Sequence, residues 1–393
     1  MKKIVLALVG VGLCFPHKAQ SLSWKNECVS YYKIQLPDSL EVALYPIKGF
    51  LEPKYRPEGN GYFITRRYAG NGITFSDEYN TASNDTVQAQ FSSFYYNNYR
   101  LGISSKNPSA IDFSAYRMRR IDSIEFNKKI ALQKEELDLR ILGEPMTTTA
   151  EFHRKHEYIL KDYPDAFVDY DFRGYTIYIN RDDRLYHFWR KNEKSTEDKS
   201  QTAKRQVEKS ESEVLSLLNR FRSRRLYEVP SEQGFCLPYG FIAGDSGHEP
   251  RNMGVTYRLK NHPDVTIFFQ DLGANPGPGE RRPDPNMSAK DYVTYFWNMR
   301  YGHSFRDIKL YGKGFSYPDI DNRKAVAAFA KFTRLSKEID YGYVAFVRGA
   351  IPDEPDLLFY VMRDSRQARG NPPMGKDELE KLAEHIVSSI KRR

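Results

Sequence analysis

The chain has 393 residues, 40% of them hydrophobic and 28% charged, with a formal net charge of +9. This composition excludes a disordered chain and leaves room for roughly two or three folded domains. Lysines and arginines are scattered among acids rather than striped along one element, which argues against nucleic acid and leaves an acidic partner or an anionic surface.

The first residues, MKKIVLALVGVGLCFPHKAQS, read as a secretory signal. Lys2 and Lys3 supply the positive end, Ile4 to Phe15 the apolar run, and Ala19 and Ser21 the small residues before a cleavage after Ser21. The apolar run is too short to span a bilayer. Lipidation at Cys14 is the alternative, which the bulky Leu13 before it disfavours. Lys2, Lys3 and Lys18 leave with the signal, so the mature chain carries +6. The cysteines that remain are Cys28 and Cys236. In an oxidising compartment the expected arrangement is a disulfide; two separately buried thiols are the alternative.

After the signal, Tyr31 to Leu36 and Leu40 to Ile47 read as short strands around a turn at Pro37 and Asp38. GYFITRRY (61–68) and QFSSFYYNNYRLGIS (90–104) continue the strand-like, tyrosine-rich character. The stretch from Ile124 to Leu142 reads as a helix leading into a strand. VDYDFRGYTIYINRDDRLYHFWRK (168–191) alternates on both sides of Asn180 to Asp183, a hairpin whose turn is not of the tightest type. From Lys191 the chain is polar, first a loop and then an amphipathic helix with Val207, Val214, Leu217, Leu218 and Phe221 at helical spacing. Pro230 and Gly234 punctuate the passage that follows. Beyond it, VTYRLK, DVTIFFQDL, YGYVAFVRGA and DLLFYVMRD read as strands, and Val326 to Phe332 as a covering helix. GANPGPGERRPDPN (273–286) reads as a surface loop. Leu379, Leu382, Ile386 and Ile390 form the stripe of a terminal helix, with Lys391 to Arg393 at its C-terminal dipole. The expected fold class is α+β. The expected organisation is a signal peptide over 1–21, an N-terminal domain over 22–225 and a C-terminal domain over 226–393. Each domain is expected to be a mainly antiparallel sheet with packed helices.

Catalytic motifs give little. GDSG at 244–247 matches the surroundings of the nucleophile in chymotrypsin-like proteases. A serine nucleophile also needs a histidine, an acid and oxyanion donors. His153, His156 and His187 lie upstream in settings unlike that family's, so a turn between strands is the expectation for Gly244 to Gly247, and a hydrolase using Ser246 the alternative. GFSYP (314–318) lacks the final glycine of a nucleophile elbow. His153 and His156 could share a helix face, yet no third metal ligand follows. GPG at 277–279 is no phosphate loop, because lysine and helix are missing. No catalytic set, metal or cofactor is therefore expected. A third reading is an envelope protein that binds anionic lipid through its positive charge.

Three segments together resemble the immunity proteins that protect bacteria from type VI secretion phospholipase effectors. They are ECVSYYKIQLP (27–37), GFCLPYGFIAGDSG with GVTYRLKNHPDVTIFF behind it (234–247 and 254–269), and KDELEKLAEHIVSSIKRR (376–393). The likeness is best across Leu226 to Arg393. It implies a periplasmic, non-catalytic inhibitor, similar to a two-domain clamp, that grips a secreted phospholipase effector. Contact residues do not carry over from the resemblance, so candidates come from residue chemistry. Arg281 and Arg282 in the long loop, and Tyr95, Tyr96 and Tyr99 in FYYNNY, are side chains of the kinds favoured at interfaces.

Overall fold

The computed structural model describes residues 23–51, 72–77, 88–89, 91–192, 198–277, 281–349 and 354–393. The expected signal over 1–21, with Cys14, and the GYFITRRY segment lie outside these residues.

The described chain begins with a hairpin, β1 (Trp24–Val29) and β2 (Tyr32–Pro37), followed by β3 (Leu40–Val42). The strand expected to run to Ile47 stops early. Pro46 brings no N–H to a ladder, and α1 (Ile47–Leu51) starts behind it. β4 (Ser93–Tyr96) and β5 (Tyr99–Ile103) form a hairpin through Asn97 and Asn98, both at positive φ. Next comes α2 (Phe113–Leu142), 30 residues long. The side chain of Asp112 accepts from the Ala115 N–H at its start, and Gly143 at φ 78° ends it. The expected passage from helix to strand near Leu142 does not occur: no glycine or proline interrupts the run, and Lys, Glu, Leu and Ala favour continued helix.

α3 (Thr149–His156) leads into a meander of β6 (Tyr158–Tyr163), β7 (Ala166–Asp171), β8 (Gly174–Arg181) and β9 (Arg184–Lys191). The β8–β9 turn is tighter than expected: Asp182 and Asp183, both at positive φ, close it in two residues. α4 (Ala203–Arg220), capped by Thr202, is the expected amphipathic helix. β10 (Phe221–Ser223), β11 (Gly234–Leu237) and β12 (Gly240–Ala243) make a small sheet in the order β10–β12–β11. Then follow β13 (Arg251–Leu259), β14 (Val265–Leu272), α5 (Ala289–Tyr301) and β15 (Asp307–Ser316). A short hairpin of β16 (Asp319–Ile320) and β17 (Arg323–Lys324) precedes β18 (Val326–Thr333), β19 (Ile339–Val347) and β20 (Asp356–Arg363). α6 (Lys376–Ser389) and β21 (Lys391–Arg392) close the chain.

Val326 to Phe332 is thus a strand, not the covering helix expected. Its alanines suggested helix. In place, Ala327 and Phe329 face one core and Ala328, Ala330 and Phe332 the other, the two-residue alternation of a sheet covered on both faces. Trp297 of α5 lies so close to Gly342 of β19 that a Cβ there would sit 2.7 Å from the indole. Lys391 and Arg392 do not extend α6 as its basic end. They turn back to pair with β2 as β21.

Most strands join one antiparallel sheet of thirteen, in the order β15–β18–β19–β20–β14–β13–β4–β5–β9–β8–β7–β6, with β3 also on β13. The fold is α+β. The seam between its halves is β13 on β4, where Arg251 faces Tyr96 and Asn252 faces Tyr95. The expected division at Arg225 and Leu226 therefore runs through a molecule whose two segments hydrogen-bond into a common sheet. One core lies under α4, α6 and the N-terminal hairpin, a second under α5, and a third under α1 and the start of α2.

Cys28 of β1 and Cys236 of β11 are disulfide-bonded, with Cα atoms 5.8 Å apart across 208 residues of sequence. A bridge around so long a loop stabilises by about 4–5 kcal/mol in the chain-entropy picture. A Cys28→Ala/Cys236→Ala variant is expected to lose up to about that much in urea unfolding. Unchanged stability would contradict a structural role for the bridge.

Candidate functional site

The residues around the disulfide draw together the N-terminal hairpin, the β10–β12 sheet and the chain end. Arg224 follows β10 and is buried. Its guanidinium donates to Glu27 Oε1 at 2.5 Å and to the carbonyls of Cys28, Leu237, Gly240, Arg225 and Glu228 at 2.6–3.2 Å. The other Glu27 oxygen accepts from the Tyr227 N–H. A buried ion pair contributes net stability only when its remaining donors and acceptors are met, as they are here. On the far side of the hairpin, Asp271 Oδ2 accepts from Ser30 Oγ at 2.6 Å and Arg251 Nε at 2.7 Å.

GDSG forms the next layer. Gly244 and Gly247 sit at φ 65° and 79°, as a tight turn requires. Asp245 Oδ1 accepts from the Gly247 N–H, and Oδ2 lies 2.9 Å from Tyr31 Oη and 3.1 Å from Tyr96 Oη. Ser246 is exposed. Its hydroxyl donates to Glu249 Oε1 at 3.0 Å and accepts from the His248 N–H. Among the described residues no histidine ring bonds to this hydroxyl; its acceptor is the carboxylate that closes the turn. His187 is far off in the sheet: it is buried and shares a hydrogen bond with Tyr116 of α2 at 2.8 Å. Burial, then the charge of Arg120, hold its pKa well below the usual histidine value. His153 and His156 end α3, and no metal-competent cluster occurs among the described residues.

A shallow cavity of about 280 Å³ opens beside the turn, lined by Tyr31, Glu232, Ser246, Arg392 and Arg393 among others. Arg392 Nη2 donates to the Gly247 carbonyl, and Arg393 to those of Pro230 and Gly234. The chain end is thereby stitched to the GDSG turn. The lining is largely polar, and the chain end closes over the turn through Arg392 and Arg393.

The candidate contact residues fare unevenly. Tyr95, Tyr96 and Tyr99 are buried, not presented to a partner, because β4 and β5 lie in the middle of the large sheet. Tyr96 bonds to Asp245, Tyr99 to Tyr175 and Glu213, and Tyr95 to Asn98, with Gly277 against its ring. The tyrosine hairpin and the first part of the arginine loop both bond to the start of β13: the Arg251 N–H donates to the Asn275 carbonyl, and the Asn97 N–H to that of Pro250. Arg282 is tied down, donating to Asp356 Oδ1 at 2.5 Å and to the Gly349 carbonyl. Arg281 alone of the five is exposed. Sequence reading missed Glu27, Arg224, Asp245, Glu249 and Asp271. Their partners lie up to 241 residues away, so no local pattern marks them.

Tyr31 has one hydroxyl proton and two carboxylate oxygens in reach, Asp245 at 2.9 Å and Glu249 at 2.8 Å. Burial, then the Glu249 charge, push the Asp245 pKa up, whereas Glu249 is held low against its burial by the Ser246 N–H and the Tyr31 hydroxyl. Asp245 is therefore the carboxyl of this cluster that holds a proton more readily on folding. A carboxyl whose pKa is raised by folding adds stability below its unfolded value, about 3.9, and loses it as pH rises through the folded value. The stability of the native protein relative to Asp245→Asn is expected to fall as pH is raised above about 4. A pH-independent difference in thermal midpoints would contradict this assignment.

Comparisons place the chain. Residues 228–280 match the model of the Tle cognate immunity protein 4 C-terminal domain. No curated protein matches. Among solved structures, the apo immunity protein TplEi of the type VI secretion system of Pseudomonas aeruginosa aligns with a TM-score of 0.53 at 16% identity, over 94% of this chain and 97% of that one. TplEi complexed with "L" peptide aligns at 0.51 and 16%, over 94% and 98%. A Tle4–Tli4 complex aligns at 0.49 and 16%, over 94% and 97%. The matched segment contains Cys236, the GDSG turn and Asp271, and the fold likeness runs nearly end to end. Residues 228–280 thus resemble the C-terminal domain of the Tle cognate immunity protein 4 family, and the fold as a whole resembles that of the type VI secretion immunity protein TplEi.

Proposed function

We propose that this protein is a periplasmic immunity protein that binds a type VI secretion phospholipase effector and inhibits it without catalysis, protecting the cell that makes it. The observation that carries this reading is the match of residues 228–280 to the Tle cognate immunity protein 4 C-terminal domain. The molecule's physics agrees with it. The matched segment is crosslinked to the N-terminal hairpin through Cys28–Cys236, as an oxidising compartment allows. Ser246 serves a turn. A pre-organised polar surface loses little entropy on docking, the condition for tight association.

The test is a pull-down of the mature chain, residues 22–393, against the phospholipase effector encoded beside it, with lipase activity read in the same tube. A one-to-one complex and silenced hydrolysis are expected, and Ser246→Ala should inhibit as well as the native chain. Full lipase activity in the presence of excess protein, with no complex, would overturn the proposal. Loss of inhibition with Ser246→Ala would return attention to the serine.

A further inference from the structure

The long helix α2 leaves the body half-way along its length. Its first part is anchored. Tyr116 and Ser123 are buried, Arg120 pairs with Asp169, Arg117 with Asp162, and Tyr158 donates to Glu125. Beyond Glu125 the anchors stop, leaving residues 126–142, about 25 Å of helix at 1.5 Å per residue. An isolated helix of this length is marginal in water, so an unpartnered one is a poor end state.

The seam that is buried early on does not end with the anchors. Tyr116, Ser123, Ile130 and Leu137 recur every seven residues, and Phe126 and Ile141 flank them on the same face. The sheet covers the first two members. Past it, Phe126 is 42%, Leu137 53% and Ile141 69% exposed. On the opposite face Leu132 and Leu139 are 44% and 48% exposed, and Glu135 between them is bound by Thr147 of the chain's own return loop. Among the described residues, no such bond is made by the side chains that flank Ile130 and Leu137. Clusters of exposed apolar side chains on this scale mark interaction sites.

Charge selects the occupant. Lys129 and Glu136 are exposed, stand one heptad apart on the same flank of the seam, and have no ion-pair partner among the described residues. A two-fold axis between them would set a second helix antiparallel. Each Lys129 would then face Glu136 of the other copy, and the Ile130 and Leu137 side chains of both would share one seam. Equivalent flank positions meet in this way only in an antiparallel pair.

We propose that residues 126–142 of α2 form a self-complementary antiparallel interface through which two copies of this chain associate. The inference is independent of the immunity reading, because it concerns the chain alone.

The test is sedimentation equilibrium of the mature chain over a wide concentration range. A mass that rises toward twice that of the monomer is expected. Leu137→Glu should abolish the rise. Lys129→Glu and Glu136→Lys should each weaken association about tenfold, since every substitution turns two attractions into two repulsions. The double variant Lys129→Glu/Glu136→Lys should recover it. These positions lie beyond the anchors, so thermal unfolding of the body should not change and a folding defect would be visible separately. A chain that stays monomeric at every concentration overturns the proposal, as does a double variant that fails to recover. So does a monomeric chain whose Leu137→Glu variant loses only effector binding, which would assign the stripe to the effector.

Discussion

The guanidinium of Arg224 is the point on which the molecule turns. It is buried beside the Cys28–Cys236 bridge and spends its donors on Glu27 and five backbone carbonyls. Those carbonyls belong to β1, β11, the start of β12 and the turn after β10; β11 and β12 share a ladder, whereas the hairpin of β1 meets β11 only through the isolated bridge of Ser30 and Cys236. Removing one partner of such a pair leaves a buried charge and costs about 3–5 kcal/mol, comparable to the disulfide itself. The covalent bond limits how far β1 can stray. The ion pair fixes how it sits. With the hairpin fixed, β2 can receive β21, and Tyr31 can reach the GDSG turn.

The same logic shows how the matched segment, residues 228–280, is built into the rest of the chain. Its strand β13 takes β4 and β3 from the N-terminal region on one edge and β14 on the other. Its acidic turn is held by Tyr31 and Tyr96 from that region and by Arg392 from the chain end. Long-range pairs of this kind are slow to form, and the disulfide shortens the search once it has closed. The surface that results is set by residues from three distant parts of the sequence.

Much of the fold was legible where the signal is local. The β8–β9 hairpin announces itself by alternation, and α6 by the stripe from Leu379 to Ile390. Local signals failed where tertiary context overrides them. The alanines of β18 suggest a helix because only the finished sheet shows two covered faces. Tyr95, Tyr96 and Tyr99 look like interface anchors because aromatic side chains serve cores and surfaces equally well, and only the β4–β13 seam decides between the two. The site was less legible than the fold. Glu27 and Arg224 are ordinary charges in sequence, and GDSG draws attention for a serine whose hydroxyl closes a turn on Glu249.

The central claim concerns protection of a cell, and protection can be measured directly. The effector encoded beside this chain would be expressed with a periplasmic signal, and survival compared with the full chain and with a version lacking residues 1–21. Survival restored by the full chain, and not by the leaderless one, is the predicted result. Equal killing in the presence of either version, with both proteins folded and abundant, would contradict the account.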